Sequence, residues 1–177
     1  MLYNVSNYIV YRKGPDLMNK ELLSILEKNS RITPSEIAVM LGTTEEAVKE
    51  EIKQLEKDKI ILGYRTLINW EMVEKDTIKA YIELKITPQA AKGFDRVAEK
   101  IYKYPQVKSL TLMSGAYDLL LEVEGETLRD VAMFVSEKLS QMDSVIATTT
   151  HFVLKTYKKE NVIFSHPDTD PREVITL

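Results

Sequence analysis

The amino-acid sequence predicts an α+β protein in which three short helices precede a four-stranded sheet with two further helices. Three observations support this prediction. Apolar residues recur at helical spacing through residues 18–57, they alternate with polar residues over 78–86, and strand and helix patterns then continue in the order βαββαβ. The 177 residues, of which 44% are apolar and 29% charged, are enough for two small domains.

Composition limits the chemistry that the chain can carry. It contains no cysteine, which excludes disulfides, thiolate metal sites and cysteine nucleophiles, and only two histidines, His151 and His166. No apolar stretch reaches the roughly 18 residues of a membrane helix, and Asn4, Ser6 and Asn7 interrupt the pattern of a secretory signal. We therefore expect a soluble, cytoplasmic protein with no cofactor, whose net charge of −3 gives no overall attraction to phosphate.

The first predicted domain is a three-helix unit that ends in a helix-turn-helix. The segment 33–36 (Thr-Pro-Ser-Glu) has the pattern of a capping box with proline at the first helical position, and Gly42 supplies a left-handed stop. Thr43 and Glu46 repeat the capping pattern and open the last helix, so only about two residues separate the two helices. The predicted buried stripes are Met18, Leu22, Ile25 and Leu26, then Ile37, Met40 and Leu41, then Val48, Ile52 and Leu55.

The second predicted domain has the order βαββαβ. Its predicted strands are 78–86, 107–112, 117–125 and 145–155, and its predicted helices have apolar faces over 91–101 and 128–139. Right-handed crossovers in both halves give a ferredoxin-like antiparallel sheet with both helices on one face. Tyr81 and Leu120 are out of phase with the buried sets of their strands, so we expect them on the uncovered face. That face either pairs with a second copy or stays a mildly apolar solvent face.

The predicted domain boundaries follow changes in composition. They are an N-terminal extension (1–17), the helix-turn-helix domain with its connector (18–69), a hinge (70–77), the βαββαβ domain (78–156) and a C-terminal arm (157–177). Within the connector, residues 60–69 are compatible with a short hairpin or with an extended segment.

The order and spacing of these segments resemble the Lrp/AsnC, or feast/famine, family of transcription regulators over roughly residues 19–156. The most specific pieces are Ile52–Glu56 followed by Ile60–Tyr64, the Gly115–Asp118 turn, and the last strand from Thr148 to Lys155. The resemblance implies a helix-turn-helix that binds double-stranded DNA, an effector domain of the RAM type, and a homodimer or a higher oligomer such as an octamer. It also implies a small-molecule effector, commonly an amino acid, and no enzymatic activity.

The last helix of the first domain is the predicted recognition helix. At about 100° per residue, Val48 marks the centre of its buried face and defines the opposite, outer face. That outer face comprises Glu46, Glu50, Lys53 and Lys57. The predicted DNA contacts are Thr33, Thr43, Thr44, Lys49, Lys53 and Lys57.

Acidic groups on this helix predict weak attraction to phosphate. Residues 18–69 carry eight cations against nine acids, and two of the outward groups are carboxylates. Glu50 can pair with Lys53 or accept from a cytosine amino group, and we favour the ion pair. A lysine flank that is merely solvated is the alternative to phosphate contact.

The turn between the two middle strands is the candidate effector site. Gly115 is expected to let backbone amides face a carboxylate, and Asp118 beside them is placed to hold an ammonium group, which suits an α-amino acid. An ordinary strand turn with a solvated Asp118 is the alternative. The predicted effector-binding residues are Met113, Gly115, Ala116, Tyr117, Asp118 and Thr149.

Two alternatives to a DNA-binding sensor stay open. One is an effector-binding and oligomerisation module with little affinity for DNA. The other is a haem enzyme, because sirohaem decarboxylases resemble the same two-domain layout and use histidine and arginine around a porphyrin. The chain has six arginines and only His151 in the region of the predicted sheet, which argues against a polycarboxylate porphyrin site.

Overall fold

The computed structural model describes residues 17–73, 77–87 and 93–164. The chain divides into two compact units, Met1–Ile68 and Asn69–Leu177, and each has its own apolar core. Most of the predicted N-terminal extension, part of the hinge and the end of the C-terminal arm, together with Ala91 and His166, lie outside the described residues.

The first unit contains three helices, α1 (Leu17–Lys28), α2 (Pro34–Leu41) and α3 (Glu45–Lys57). Its buried side chains are Leu22, Leu26, Ile37, Ala38, Val48 and Leu55, and all but Ala38 belong to the predicted stripes. The prediction was wrong for Met40, which is 62% exposed. The buried side of α2 is centred between Ile37 and Ala38, so Met40 lies about 100° away from its centre.

The start and the end of α2 follow the prediction. The Thr33 hydroxyl accepts from the backbone N–H of Glu36 at 3.3 Å, and the N–H of Thr33 donates to the Glu36 carboxylate at 2.8 Å. Bonds from the Thr33 hydroxyl and backbone lower the pKa of the Glu36 carboxyl, so the stabilisation they give is present at neutral pH and is lost as acid protonates Glu36. Gly42, with φ of 64°, ends the helix in the left-handed conformation.

The start of α3 differs from the prediction by one residue. Thr44, not Thr43, is the N-cap, and its hydroxyl accepts from the N–H of Ala47 at 3.2 Å. The N–H of Thr43 donates instead to the carbonyl of Ala38 at 3.0 Å, in the Schellman motif that closes α2. The predicted capping box between Thr43 and Glu46 therefore does not form, because Thr43 belongs to the end of the preceding helix.

The connector that follows α3 is extended, so its alternative as a short hairpin is wrong. No strand occurs within residues 58–69, all of which are described. The hydroxyl of Tyr64 donates to the Glu56 carboxylate at 2.9 Å, and partial burial together with this bond raises the pKa of Tyr64. The bond ties the connector back to α3. A 3-10 turn, Trp70–Val73, follows the connector.

The second unit has the predicted order of elements. They are β1 (Ile78–Ile86), α4 (Gly93–Ile101), β2 (Val107–Leu112), β3 (Leu119–Gly125), α5 (Leu128–Phe134) with a π-helical extension (Val135–Leu139), and β4 (Val145–Phe152). The four strands form one antiparallel sheet in the order β2-β3-β1-β4, which is the predicted ferredoxin-like arrangement. A two-residue hairpin of β5 (Lys158–Lys159) and β6 (Val162–Ile163) comes after β4.

The core of the second unit lies between one face of the sheet and its helices. Strand residues Ile82, Leu84, Leu119, Leu121 and Val123 pack there with Ile101, Phe134 and Leu139. Two predicted strand boundaries shift, since β3 begins two residues later than expected and β4 ends three residues earlier. The delay in β3 arises because residues 114–118 form the turn itself.

Alternation on β3 gives a direct test of the fold. Leu121 is fully buried and lies between Ile82 of β1 and Leu110 of β2, whereas Leu120 points to the uncovered face and is half-buried. We expect Leu121→Ala to lower the free energy of unfolding by about 2–5 kcal/mol, because it leaves a cavity in a closed core. Urea denaturation at one protein concentration measures the loss.

The matched control is Leu154→Ala, which removes the same atoms from a side chain that is 96% exposed. Its loss in the free energy of unfolding should be well below that of Leu121→Ala. Equal losses in the two variants would contradict the burial of Leu121 between β1 and β2.

Candidate DNA interface and effector turn

The outer face of α3 is open to solvent, as predicted. The side chains of Glu50 and Lys53 are 76% and 77% exposed, whereas Val48 and Leu55 on the opposite face are only 2% exposed. Lys57 is exposed in the last turn. Helix α3 therefore keeps one face in the core and leaves the other available to a partner.

Lys49 and Lys53, the two lysines nearer the start of α3, each lie beside a carboxylate. Lys49 Nζ is 2.6 Å from Glu45 Oε1, and Lys53 Nζ is 3.9 Å from Glu50 Oε2. The hydrogen bond and the attraction of Glu45 raise the pKa of Lys49, so this lysine is charged at neutral pH. Exposed pairs of this kind hold a side chain only weakly, so both lysines can turn toward groups on DNA.

The predicted pair of Lys53 with Glu50 is confirmed, whereas the pair of Lys49 with Glu45 was not predicted. The signal was present, because residues four apart on a helix are neighbours and a glutamate that precedes a lysine by four is the favoured order.

The three predicted DNA-contacting threonines have different surroundings. The hydroxyl of Thr33 donates to the Glu36 carboxylate at 2.7 Å as well as capping α2, so it is fully used within the protein. Thr44 is exposed at the start of α3, where its oxygen caps the helix. Thr43 is half-buried. Of the three, Thr44 has the position best suited to a phosphate.

Asp118 connects the candidate effector turn, residues 113–118, to β1 through hydrogen bonds. Its Oδ2 accepts from the N–H of Ile86 at 2.8 Å, its own N–H donates to the Leu84 carbonyl at 2.9 Å, and its carbonyl accepts from the N–H of Met113 at 2.8 Å. The bond to Ile86 lies where the register between β1 and β4 shifts, between Lys85 and Ile86. Asp118 is half-buried and one of its carboxylate oxygens is bonded to the backbone, so the alternative of a fully solvated Asp118 is wrong.

Gly115 does not adopt a backbone conformation with positive φ, for which a glycine would be needed. Among the described glycines, only Gly42 and Gly63 have positive φ, and a Cβ built on Gly115 would have no neighbour within 4 Å. Residues 114–116 are exposed and Tyr117 is half-buried. The turn thus presents backbone to solvent without needing glycine for its shape.

Thr149 lies away from this turn within one chain. It is paired with Glu83 of β1, which is paired in turn with Leu120 of β3, so two strand spacings, about 10 Å, separate Thr149 from Leu120. The fold brings together Met113 and Asp118 but does not bring the Thr149 hydroxyl to them.

A groove of about 280 Å³ lies on the helix-covered side of the sheet, between α4 and the edge strand β2. Its lining is mostly apolar and includes Phe94, Ala98, Leu110, Leu112 and Leu119. It meets the effector turn only through Leu112 and Leu119, which flank the turn, and it contains neither Asp118 nor Thr149. The predicted effector residues therefore do not line this groove.

The uncovered face of the sheet is charged and internally paired. Ion pairs with N–O distances of 3.8 or 3.9 Å join Lys79 and Lys108 to Glu124 and Lys159 to Glu122, and His151 Nε2 lies within hydrogen-bond distance of Glu83 Oε1 at 3.2 Å. Tyr81 and Leu120 share the strand phase of these groups, as predicted. The face is nevertheless more polar than the prediction of an apolar pairing surface implied.

The described residues contain no group of three histidine, aspartate or glutamate side chains that could hold a metal ion. None of the described helices has the length and apolar character needed to cross a membrane.

Comparison with known proteins agrees with this layout. Residues 16–56 match the AsnC-type helix-turn-helix domain, and residues 79–163 match the Lrp/AsnC ligand-binding domain. The chain is 46% identical over 157 residues to the HTH-type transcriptional regulator YugG of Bacillus subtilis. The aligned region covers 88% of this chain and 95% of that protein.

Two solved structures share the fold. The transcriptional regulator NMB0573 of Neisseria meningitidis, in complex with L-Met, has a TM-score of 0.65 at 26% identity and covers 88% of this chain and 98% of that one. The leucine response regulatory protein LrpA of Mycobacterium tuberculosis has a TM-score of 0.69 at 20% identity, with coverage of 85% and 100%. With its two domain matches and its close bacterial relative, the chain belongs to the Lrp/AsnC family of transcriptional regulators.

Proposed function

We propose that this regulator binds double-stranded DNA through α3 as a homo-oligomer, and that a small molecule, an amino acid, bound beside the 113–118 turn adjusts that binding. The proposal of DNA binding rests on the exposure of the lysines on the outer face of α3, whose opposite face is anchored in the core by Val48 and Leu55. A helix presented in this way can enter a major groove while α1 and α2 support it from behind.

The lysine flank of α3 is the proposed phosphate contact. Lys49 and Lys57 are eight residues apart on one side of the helix, so they can reach one phosphate strand, and Lys53 lies between them on the side nearer the bases. The exposed Thr44 at the helix start can add a contact from its hydroxyl. The acidic groups nearby reduce the electrostatic gain, which makes two half-sites in an oligomer more important than a single site.

The effector turn is proposed to bind an amino acid. The complex of the Neisseria regulator with L-Met supports this class of ligand. Exposed backbone at residues 114–116 can face a carboxylate, and the Asp118 carboxylate can accept from an ammonium group while its Oδ2 keeps the bond to Ile86. Since Thr149 is distant within one chain, a second copy has to complete the site.

The uncovered sheet face is proposed as the surface between two copies. Lys79 and Lys159 are already paired with glutamates on this face, so burying the face would leave few charges without a partner. Tyr81 and Leu120 supply the apolar contact among them. A two-fold axis through this face would give a dimer, and contacts elsewhere would extend it to a larger oligomer such as an octamer.

We assign the chain no enzymatic role and place it in the cytoplasm with the DNA that it regulates. Its relatives are transcriptional regulators, and His151, the histidine considered for a porphyrin enzyme, faces Glu83 on the uncovered sheet face.

The DNA face is tested with the double variant Lys49→Ala, Lys57→Ala. Losing two phosphate contacts should weaken binding to genomic fragments and reduce the slope of log affinity against log salt by about 1.8, at about 0.9 for each contact. Fluorescence anisotropy at several salt concentrations measures both. The control, Lys20→Ala with Lys28→Ala, makes the same charge change on exposed positions of α1 and should keep most of the slope. An unchanged slope in the α3 variant would show that the docking face is wrong.

The effector turn is tested by thermal shift with single amino acids. A ligand at 100 times its dissociation constant stabilises the folded state by about 2.7 kcal/mol, which raises the melting temperature measurably. Asp118→Asn keeps an acceptor for Ile86 and loses the negative charge, so we expect near-normal basal stability and no ligand shift. Asp118→Ala should lose the shift and also about 1–3 kcal/mol of basal stability, because the Ile86 N–H is left unsatisfied.

Gly115→Ala is the control for these variants, since its added Cβ meets open space and should not change basal stability. A full ligand shift in Asp118→Asn would rule out the proposed contact with the ammonium group.

The oligomer is tested by size-exclusion chromatography with light scattering. We expect the wild-type chain to elute as a dimer or larger at micromolar concentration, and Leu120→Glu to shift it toward the monomer, because the added carboxylate would be buried directly opposite the like charge of Glu83. Leu62→Glu adds the same charge to a highly exposed position of the connector and should leave assembly unchanged. A wild-type monomer would contradict the proposal.

A further inference from the structure

We propose that Glu50 and Lys53 act together to read one C·G base pair in the major groove. The Glu50 carboxylate would accept from the N4 amino group of cytosine, and the Lys53 ammonium would donate to O6 and N7 of the paired guanine. This inference rests on the proposed function, because it requires α3 to lie in the groove.

The geometry of the pair fits such a base pair. Glu50 Oε2 and Lys53 Nζ are 3.9 Å apart, and both side chains are about three-quarters exposed on the outer face of α3. Cytosine N4 and guanine O6 are hydrogen-bonded to each other and so lie about 3 Å apart at the groove edge. The Glu50 carboxylate can thus accept from cytosine N4 while the neighbouring Lys53 ammonium donates to guanine O6.

Structural roles do not account for a carboxylate at position 50. Glu45 and Glu46 lie in the first turn of α3, where the helix dipole favours negative charge. Glu50 lies beyond that turn, and its loose exposed pair with Lys53 adds little to helix stability. Near phosphates the carboxylate would be repelled, so a place on this face is best explained by a base edge that donates a hydrogen bond.

The order of groups in the groove favours C·G over the other base pairs. From cytosine to guanine the edge offers a donor followed by two acceptors, which matches Glu50 followed by Lys53. An A·T pair offers the same central donor and acceptor in N6 and O4, but it adds the adenine N7 acceptor beside the carboxylate and puts the thymine methyl group where the ammonium would find its second acceptor. The pair therefore reads both base identity and strand orientation.

The test is selection of random-sequence duplexes by the full-length protein, compared between wild type and Glu50→Gln. We expect the wild-type motif to contain a cytosine at one fixed position of each half-site. The variant should lose that preference by about 5- to 100-fold, since a good side-chain pair is worth about that much in discrimination. A glutamine amide makes its best paired contacts with adenine, so the preference should move from cytosine toward adenine at that position alone.

Glu27→Gln is the matched control, because it makes the same change at an exposed position of α1 and should keep the wild-type motif. An unchanged motif in Glu50→Gln, or tighter binding with no change at any base, would overturn the inference and leave the proposed function standing. If wild type selected no duplex even at low salt, the proposed function itself would fail and the inference with it.

Discussion

The left-handed turn at Gly42 decides which face of α3 points outward. Gly42 and Thr43 close α2 through their backbone N–H groups, so α3 cannot begin before Glu45 and takes Thr44 as its cap. From that start the helical period places Val48 and Leu55 in the core. Every proposed contact with DNA depends on this phase, because a start one residue earlier would rotate the lysine flank by about 100°.

The effector turn has a comparable constraint in Asp118. Its carboxylate holds the end of β1 at the register shift next to β4, so the turn, two strands and the bulge are tied by one side chain. A ligand that contacts this carboxylate would act on the end of β1 as well as on the turn. This arrangement would link the proposed amino-acid site to the sheet face on which copies of the chain are proposed to pair.

The sequence was sufficient for the order of elements, the strand faces and the outer face of α3, because these depend on periodicity over many residues. Prediction from the sequence was wrong where one residue has two possible hydrogen-bond partners. Thr43 has the pattern of a cap and is used by the preceding helix instead. Asp118 was predicted to meet ligand or solvent, yet its partner is Ile86, 32 positions away in the chain. Pattern alone does not show which long-range backbone N–H lacks a partner.

Low positive charge on a DNA-binding domain changes what its affinity depends on. Non-specific binding comes almost wholly from phosphate neutralisation, so eight cations against nine acids in residues 18–69 weaken it first. Contacts to base edges are short-range and are not weakened in proportion. A domain with Glu50 on its outer face therefore has a weaker non-specific affinity for DNA but keeps its preference for particular base sequences. Two such helices held by one oligomer regain affinity through the second site, whose binding has become intramolecular.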